Sequence, residues 1–156
     1  MDWGDFVSML FWSLLIFVHV LAAAFWVGGQ LMLVVVVLPL LRRGASPQLV
    51  RELASATGRR FASLTNLVLL PILVVTGIAL AWLNGVRPDN LTSTPFGRVL
   101  LVKVVLVVVV FSLAGLHGVA ARRLRRSQVR AMAVATLVIS IAIVGLGAAL
   151  AVLPGA

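Results

Sequence analysis

Four apolar runs, at about residues 6–40, 61–83, 97–120 and 130–153, constrain this chain more than any other feature. A helix that crosses a bilayer takes about 20 apolar residues, and each run reaches that length almost without charge. Hydrocarbon offers no water to backbone N–H and C=O groups, so such runs fold as helices whose bonds close within the segment. The chain has 156 residues, 62% of them hydrophobic, against about 45–50% in a soluble domain. The expectation is an all-α integral membrane four-helix bundle, one four-span domain from end to end. The first run is too long for a perpendicular crossing, so it tilts or projects from one face. Its leading residues Asp2 and Asp5 are acidic and its apolar stretch far exceeds a signal core, so it does not read as a cleaved signal peptide.

Charge sets the expected orientation. The gap at 41–60 holds Arg42, Arg43, Arg51, Arg59 and Arg60. Residues 121–130 hold Arg122, Arg123, Arg125, Arg126 and Arg130. Those are ten of the thirteen basic residues. The gap at 84–96 holds only Arg87, with Arg98 at the next helix start. The positive-inside rule then makes the basic loops 41–60 and 121–129 cytoplasmic and both termini external, N-out/C-out. The implied location is the plasma (inner) membrane of a bacterium. The net charge of +9 does not point to nucleic acid as a partner, because the arginines flank spans, where topology and anionic headgroups account for them. Within the basic gap, Ser46-Pro47 reads as a helix cap followed by proline at the first helical position. The outer gap, NGVRPDNLTSTP, reads as a turn-rich loop.

Cysteine is absent, which excludes disulfides, Cys-ligated zinc and iron–sulfur clusters within this chain. Only four acidic residues occur, too few for paired-carboxylate chemistry. Function therefore falls on the ionisable groups inside spans, which are costly in lipid and are site candidates by default. There are three: His19, Lys103 and His117. His19 stands 23 residues before Arg42 and Lys103 stands 19 before Arg122, about 34 and 28 Å from the inner edge at the helical rise. That puts both in the outer half, whereas His117 lies near the inner edge, about 7 Å from Arg122. Counted from the outer ends instead, the two histidines come within about 7 Å in depth.

Helical spacing sorts their neighbours. Ala23, Trp26 and Gln30 share a stripe with His19, and Val107, Val110, Ala114 and His117 share one with Lys103. In span two, Asn66, Leu73, Gly77, Leu80 and Asn84 share a face; in span four, Thr136, Ser140 and Gly147 do. These small or polar sides belong in the bundle interior, where a cofactor would sit. Each candidate also has a plainer reading. His19 would hydrogen-bond a neighbouring helix, and Lys103 and His117 would snorkel to the two surfaces. Gly28-Gly29 would serve close helix packing. Met9, Met32 and Met132 would pack rather than bind copper.

The stretch HVLAAAFWVGG from His19 to Gly29, with Leu38-Pro39 before the arginines, resembles the first span of the copper-resistance D (CopD-like) membrane family. TPFGRVLLVK, Thr94 to Lys103, resembles that family's entry into its third span. The resemblance runs from about residue 14 to 125. It implies copper homeostasis or transport at the membrane. The His…Trp-x-Gly signature and the lysine of span three are also similar to membrane-bound protoporphyrinogen oxidases of the HemJ type, which bind haem b. That likeness implies His19 and Lys103 as the functional residues. Copper favours soft sulfur ligands but takes imidazole too, whereas haem needs one or two axial ligands and an apolar slot. His19 is the candidate metal contact in either case, Trp26 a wall, and Lys103 or Arg98 the partner of acidic groups. His117 is a further candidate. Copper transporter, haem b redox enzyme and membrane-anchor subunit of a larger redox complex all stay open at this stage, as does homo-oligomerisation; whether the chain is an enzyme is not decided by these residues.

Overall fold

The computed structural model describes residues 2–120 and 126–155, with side chains described outside 115–127, 129 and 130. Among the described residues there is helix and turn but no strand. Four helices are long and apolar enough to cross a membrane: Trp3–Gly44, Pro47–Leu83, Pro95–Ala114 and Ala131–Leu150. Phe17, Val75 and Val108 are each about 60% exposed or more. Water would not tolerate that much bare apolar surface, but lipid does. The fold is therefore all-α and of the polytopic membrane class. The chain divides into two compact units, one reaching to Ala81 and one beginning at Trp82.

The first unit is a pair of long helices joined by a two-residue break. Helix α1 (Trp3–Leu31) starts on a capping box, in which the Asp2 carboxylate accepts from Asp5 N at 2.8 Å and Asp5 answers to Asp2 N. It continues through a widened turn at Met32–Val37 into α2 (Leu38–Gly44). The chain reverses at Ala45, and Ser46 caps α3 (Pro47–Leu64), its hydroxyl accepting from Leu49 N at 3.3 Å. Pro47 at the first position loses no bond, since that N–H has no helical acceptor. A second widened turn, Thr65–Leu69, leads into α4 (Leu70–Leu83).

The two widened turns share a cause. Each is followed directly by Leu-Pro, at Leu38-Pro39 and Leu70-Pro71. Proline has no N–H, and its ring crowds the carbonyl four residues back. Letting the preceding leucine bond one residue further back relieves the crowding without breaking the helix. Leu38 N accordingly donates to Leu33 O, and Leu70 N to Thr65 O.

Two sequence-based expectations change here. The gap at 41–60 is not a loop with a short helix in it. Apart from Ala45-Ser46 it is helical, and α3 runs on into the second span. The first part of that helix is held by its cap and by i,i+4 pairs: Gln48 donates to Glu52 at 3.1 Å and Arg59 to Ser55 at 3.2 Å. The face expected for span two is also rotated at its start. The widened turn adds a residue between Asn66 and Leu73, so Asn66 is exposed while Thr65, Leu69 and Thr76 are buried.

Of the two adjacent glycines in α1, only one packs. A Cβ on Gly29 would collide with the Phe61 ring of α3, whereas one on Gly28 would meet nothing within 4 Å. Gly29→Ala should therefore lower stability by about 1–3 kcal/mol through overpacking. Gly28→Ala should be neutral or stabilising by up to about 1 kcal/mol. Thermal melts of the two variants in detergent check the contrast.

The second unit opens on an ordered loop. Gly85 supplies the positive φ of 81° that the turn requires. The Arg87 guanidinium lies 3.8 Å over the Trp82 ring and donates to Trp82 O and Val86 O. Asn90 ties the loop from inside, accepting from Arg87 N and donating to Gly85 O, each at 2.8 Å. Thr94 then caps α5 (Pro95–Ala120), accepting from Gly97 N at 3.0 Å, with Pro95 at the first helical position. Helix α6 (Arg126–Leu150) packs along α5. Its Gly147 meets Lys103 of α5. Seven residues on along α5 comes Val110, and seven residues back along α6 comes Ser140, the two most fully buried side chains among the described residues.

Candidate functional site

His19 lies on the face of α1 that meets α4, and it is half-buried. Its Nδ1 is 2.7 Å from Thr76 Oγ1. Thr76 Oγ1 is in turn 2.6 Å from Ile72 O, one turn back on its own helix, and 3.5 Å from Leu73 O. The imidazole also presses on Gly77, where an added Cβ would stand 3.3 Å from His19 Cε1. A glycine there gives the ring its place, and the neighbouring threonine holds it by one nitrogen. Trp26, two turns further along the same stripe, is buried, with 4% of its surface exposed.

In the second unit Lys103 is half-buried and does not simply extend outward. Its Nζ would stand 3.3 Å from a Cβ on Gly147, so the ammonium end lies against the backbone of α6. Thr136 and Ser140 on α6 return their hydroxyls to the helix, Thr136 to Met132 O at 2.9 Å and Ser140 to Thr136 O at 2.7 Å. Arg98 sits exposed in the first turn of α5. The His117 side chain lies outside the described residues.

Thr76 was not among the residues expected from sequence. A lone threonine in an apolar span is unremarked, because its hydroxyl bonds its own helix. The available signal was its position beside Gly77, already on the interior face of span two. Of the two polar candidates in spans whose side chains are described, each rests on a glycine of the neighbouring helix in its unit, His19 on Gly77 and Lys103 on Gly147. The consequences of filling those glycines differ. The lysine end is flexible, so Gly147→Ala should leave stability within about 1 kcal/mol of wild type. The imidazole is pinned at Nδ1, so Gly77→Ala should displace it and lower stability by about 1–3 kcal/mol. Thermal melts of both variants in detergent make the comparison.

Fold and polar placement together define a polytopic helical membrane protein with an ordered imidazole inside its first span. A family profile described as copper resistance protein D matches residues 55–150, more than half of the chain, and the chain belongs to that family. The matched segment takes in Thr76, Gly77, Arg98, Lys103 and Gly147. An uncharacterized protein of Aquifex aeolicus (strain VF5) is 39% identical over 79 residues, 49% of this chain and 54% of the relative. The chain thus aligns with about half the length of that relative. No solved structure matches the chain.

Proposed function

We propose that this protein handles copper in a bacterial inner membrane, with the ion as cargo and His19 as its contact in the outer half of the bilayer. The observation that carries the reading is the imidazole of His19, held at Nδ1 by Thr76 and seated on Gly77. A histidine in lipid is expensive unless it has a task, and imidazole is a competent copper ligand. Membership of a family named for copper resistance supports the same reading. In the proposed orientation the arginine-bearing segments 41–60 and 121–129 face the cytoplasm and both termini lie outside, following the charge asymmetry. The test is copper content in cells producing the protein under copper limitation. It should rise above that of an empty-vector strain, and His19→Ala should return it to that strain's level.

A second reading, a haem b redox protein, is favoured by one specific observation. Among the described residues no three of His, Cys, Asp and Glu come together as a metal cage would require. One imidazole oriented by a hydrogen bond suits an axial ligand, and haem needs only one or two. His19 would be that ligand, and haem when bound would supply one-electron redox chemistry. The chain's own part would be to orient the ring and to exclude water.

A further inference from the structure

A groove of about 780 Å³ runs along the outside of the first unit, between the first span and the second. That volume falls within the roughly 300–1,000 Å³ of small-ligand sites. Both widened turns border it, Met32 from the first and Leu67 and Val68 from the second, and such turns recur at functional sites. Between them the Phe61 ring is seated on Gly29, where no Cβ would fit. Met32 is 61% exposed and Leu67 73%, so the groove opens sideways, and in a membrane that side is lipid. Any lipid would cover an apolar wall, so selection has to come from the polar members of the lining.

Those members are confined to one end. Thr57, Arg60 and Ser63 line the groove from α3, and from Leu64 onward the lining on that side is apolar. The opposite wall, contributed by the first span, carries no polar side chain. From Thr57 to Val68 is 11 residues, about 17 Å at the helical rise, close to half of the roughly 30 Å hydrocarbon core. The groove is therefore about one leaflet deep, cationic at its headgroup end and apolar along its length. We propose that it binds one anionic phospholipid, with an acyl chain along the apolar walls and the phosphate on Arg60. A guanidinium meets a phosphate through two parallel N–H···O bonds. The preference for an anionic lipid follows from charge: residues 41–60 hold Arg42, Arg43, Arg51, Arg59 and Arg60 against one acidic residue, Glu52. A zwitterionic lipid offers the same phosphate with its own cation beside it, so Arg60 gains less from it. Arg59 turns back to Ser55 on its own helix, whereas Arg60 lines the groove. In the orientation proposed above the lipid belongs to the cytoplasmic leaflet, where anionic headgroups are concentrated. The site is independent of the copper reading of His19.

The test is native mass spectrometry of the full chain in detergent, titrated with phosphatidylglycerol or with phosphatidylcholine of the same acyl chains. Wild type should take up one phosphatidylglycerol about 10-fold more tightly than phosphatidylcholine, the low end of a hydrogen bond to a charged group. Arg60→Gln should bring the two lipids level. Arg51→Gln removes the same charge away from the groove lining and should keep the preference. Leu67→Trp, at an exposed position on the wall, should obstruct the acyl chain and weaken phosphatidylglycerol about 10-fold with no change of charge. Equal binding of the two lipids by wild type overturns the proposal and needs no variant to fold. An Arg60→Gln protein that keeps the preference overturns it too. So does an Arg51→Gln protein that loses it equally, since surface charge at large would then suffice. If Leu67→Trp binds phosphatidylglycerol like wild type, the headgroup is held without a chain in the groove, and the proposed site fails.

Discussion

Gly97→Ala should lower the stability of the second unit by about 2 kcal/mol, among the largest effects of any single methyl added to this protein. The first turn of α5 passes so close to the preceding loop that a Cβ on Gly97 would run into the backbone of Leu91, at its carbonyl oxygen and carbon. A flexible side chain could swing away from such a contact, but Leu91 cannot. The loop around it is tied by Asn90, which accepts from Arg87 N and donates to Gly85 O, and Thr94 fixes the helix start from the other side. Overpacking against an immobile neighbour costs about 1–3 kcal/mol or more, and the helix-propensity gain of alanine offsets at most about 1 kcal/mol. Thermal unfolding in detergent reads the loss. A matched Gly145→Ala variant, whose Cβ would meet nothing within 4 Å, should melt at or above the wild-type temperature.

His19→Ala should do the opposite: leave the fold in place and abolish binding. The ring is half-buried, and when it is removed Thr76 keeps its 2.6 Å bond to Ile72 O, so no buried hydroxyl is orphaned. The loss includes the interhelical hydrogen bond to Thr76, about 0.5–1.5 kcal/mol, together with some ring packing. On the proposed reading the functional loss is complete, because no other side chain in the first unit offers an imidazole or a thiolate. Copper(I) titration of the variant in nanodiscs should match empty nanodiscs, while its melting temperature falls by only a few degrees. Unchanged binding would move the contact elsewhere in the chain.

Much of this architecture is written in the sequence because hydrocarbon permits so few alternatives. Four apolar runs become four spanning helices, and Ser46-Pro47 starts a helix where a cap followed by proline should. Trp26 is buried as the stripe through His19 implies. The departures come from effects that residue spacing does not carry. Counting at a fixed angle per residue places Asn66 beside Leu73 and Gly77, but the widened turn caused by Pro71 shifts the count and turns Asn66 outward. The gap at 41–60 reads as polar loop, yet a cap at Ser46 and i,i+4 pairs let the second span's helix extend through most of it. Thr76 escaped because its value is relational. Only when α1 and α4 are laid side by side does an ordinary threonine become the partner of His19. Gly28 and Gly29 look equivalent in a string of letters, and only the Phe61 ring distinguishes them.

If His19 holds the ligand, the most direct measurement is of the group that the purified protein carries. Wild type and His19→Ala, produced with ample copper and haem, would be compared by metal analysis and by visible absorption, oxidised and dithionite-reduced. Bound copper should be present in the wild type and disappear in the variant; on the second reading the group lost is haem, seen as a Soret band with sharp reduced α and β bands. Copper or haem retained at wild-type level by folded His19→Ala would contradict that role of His19.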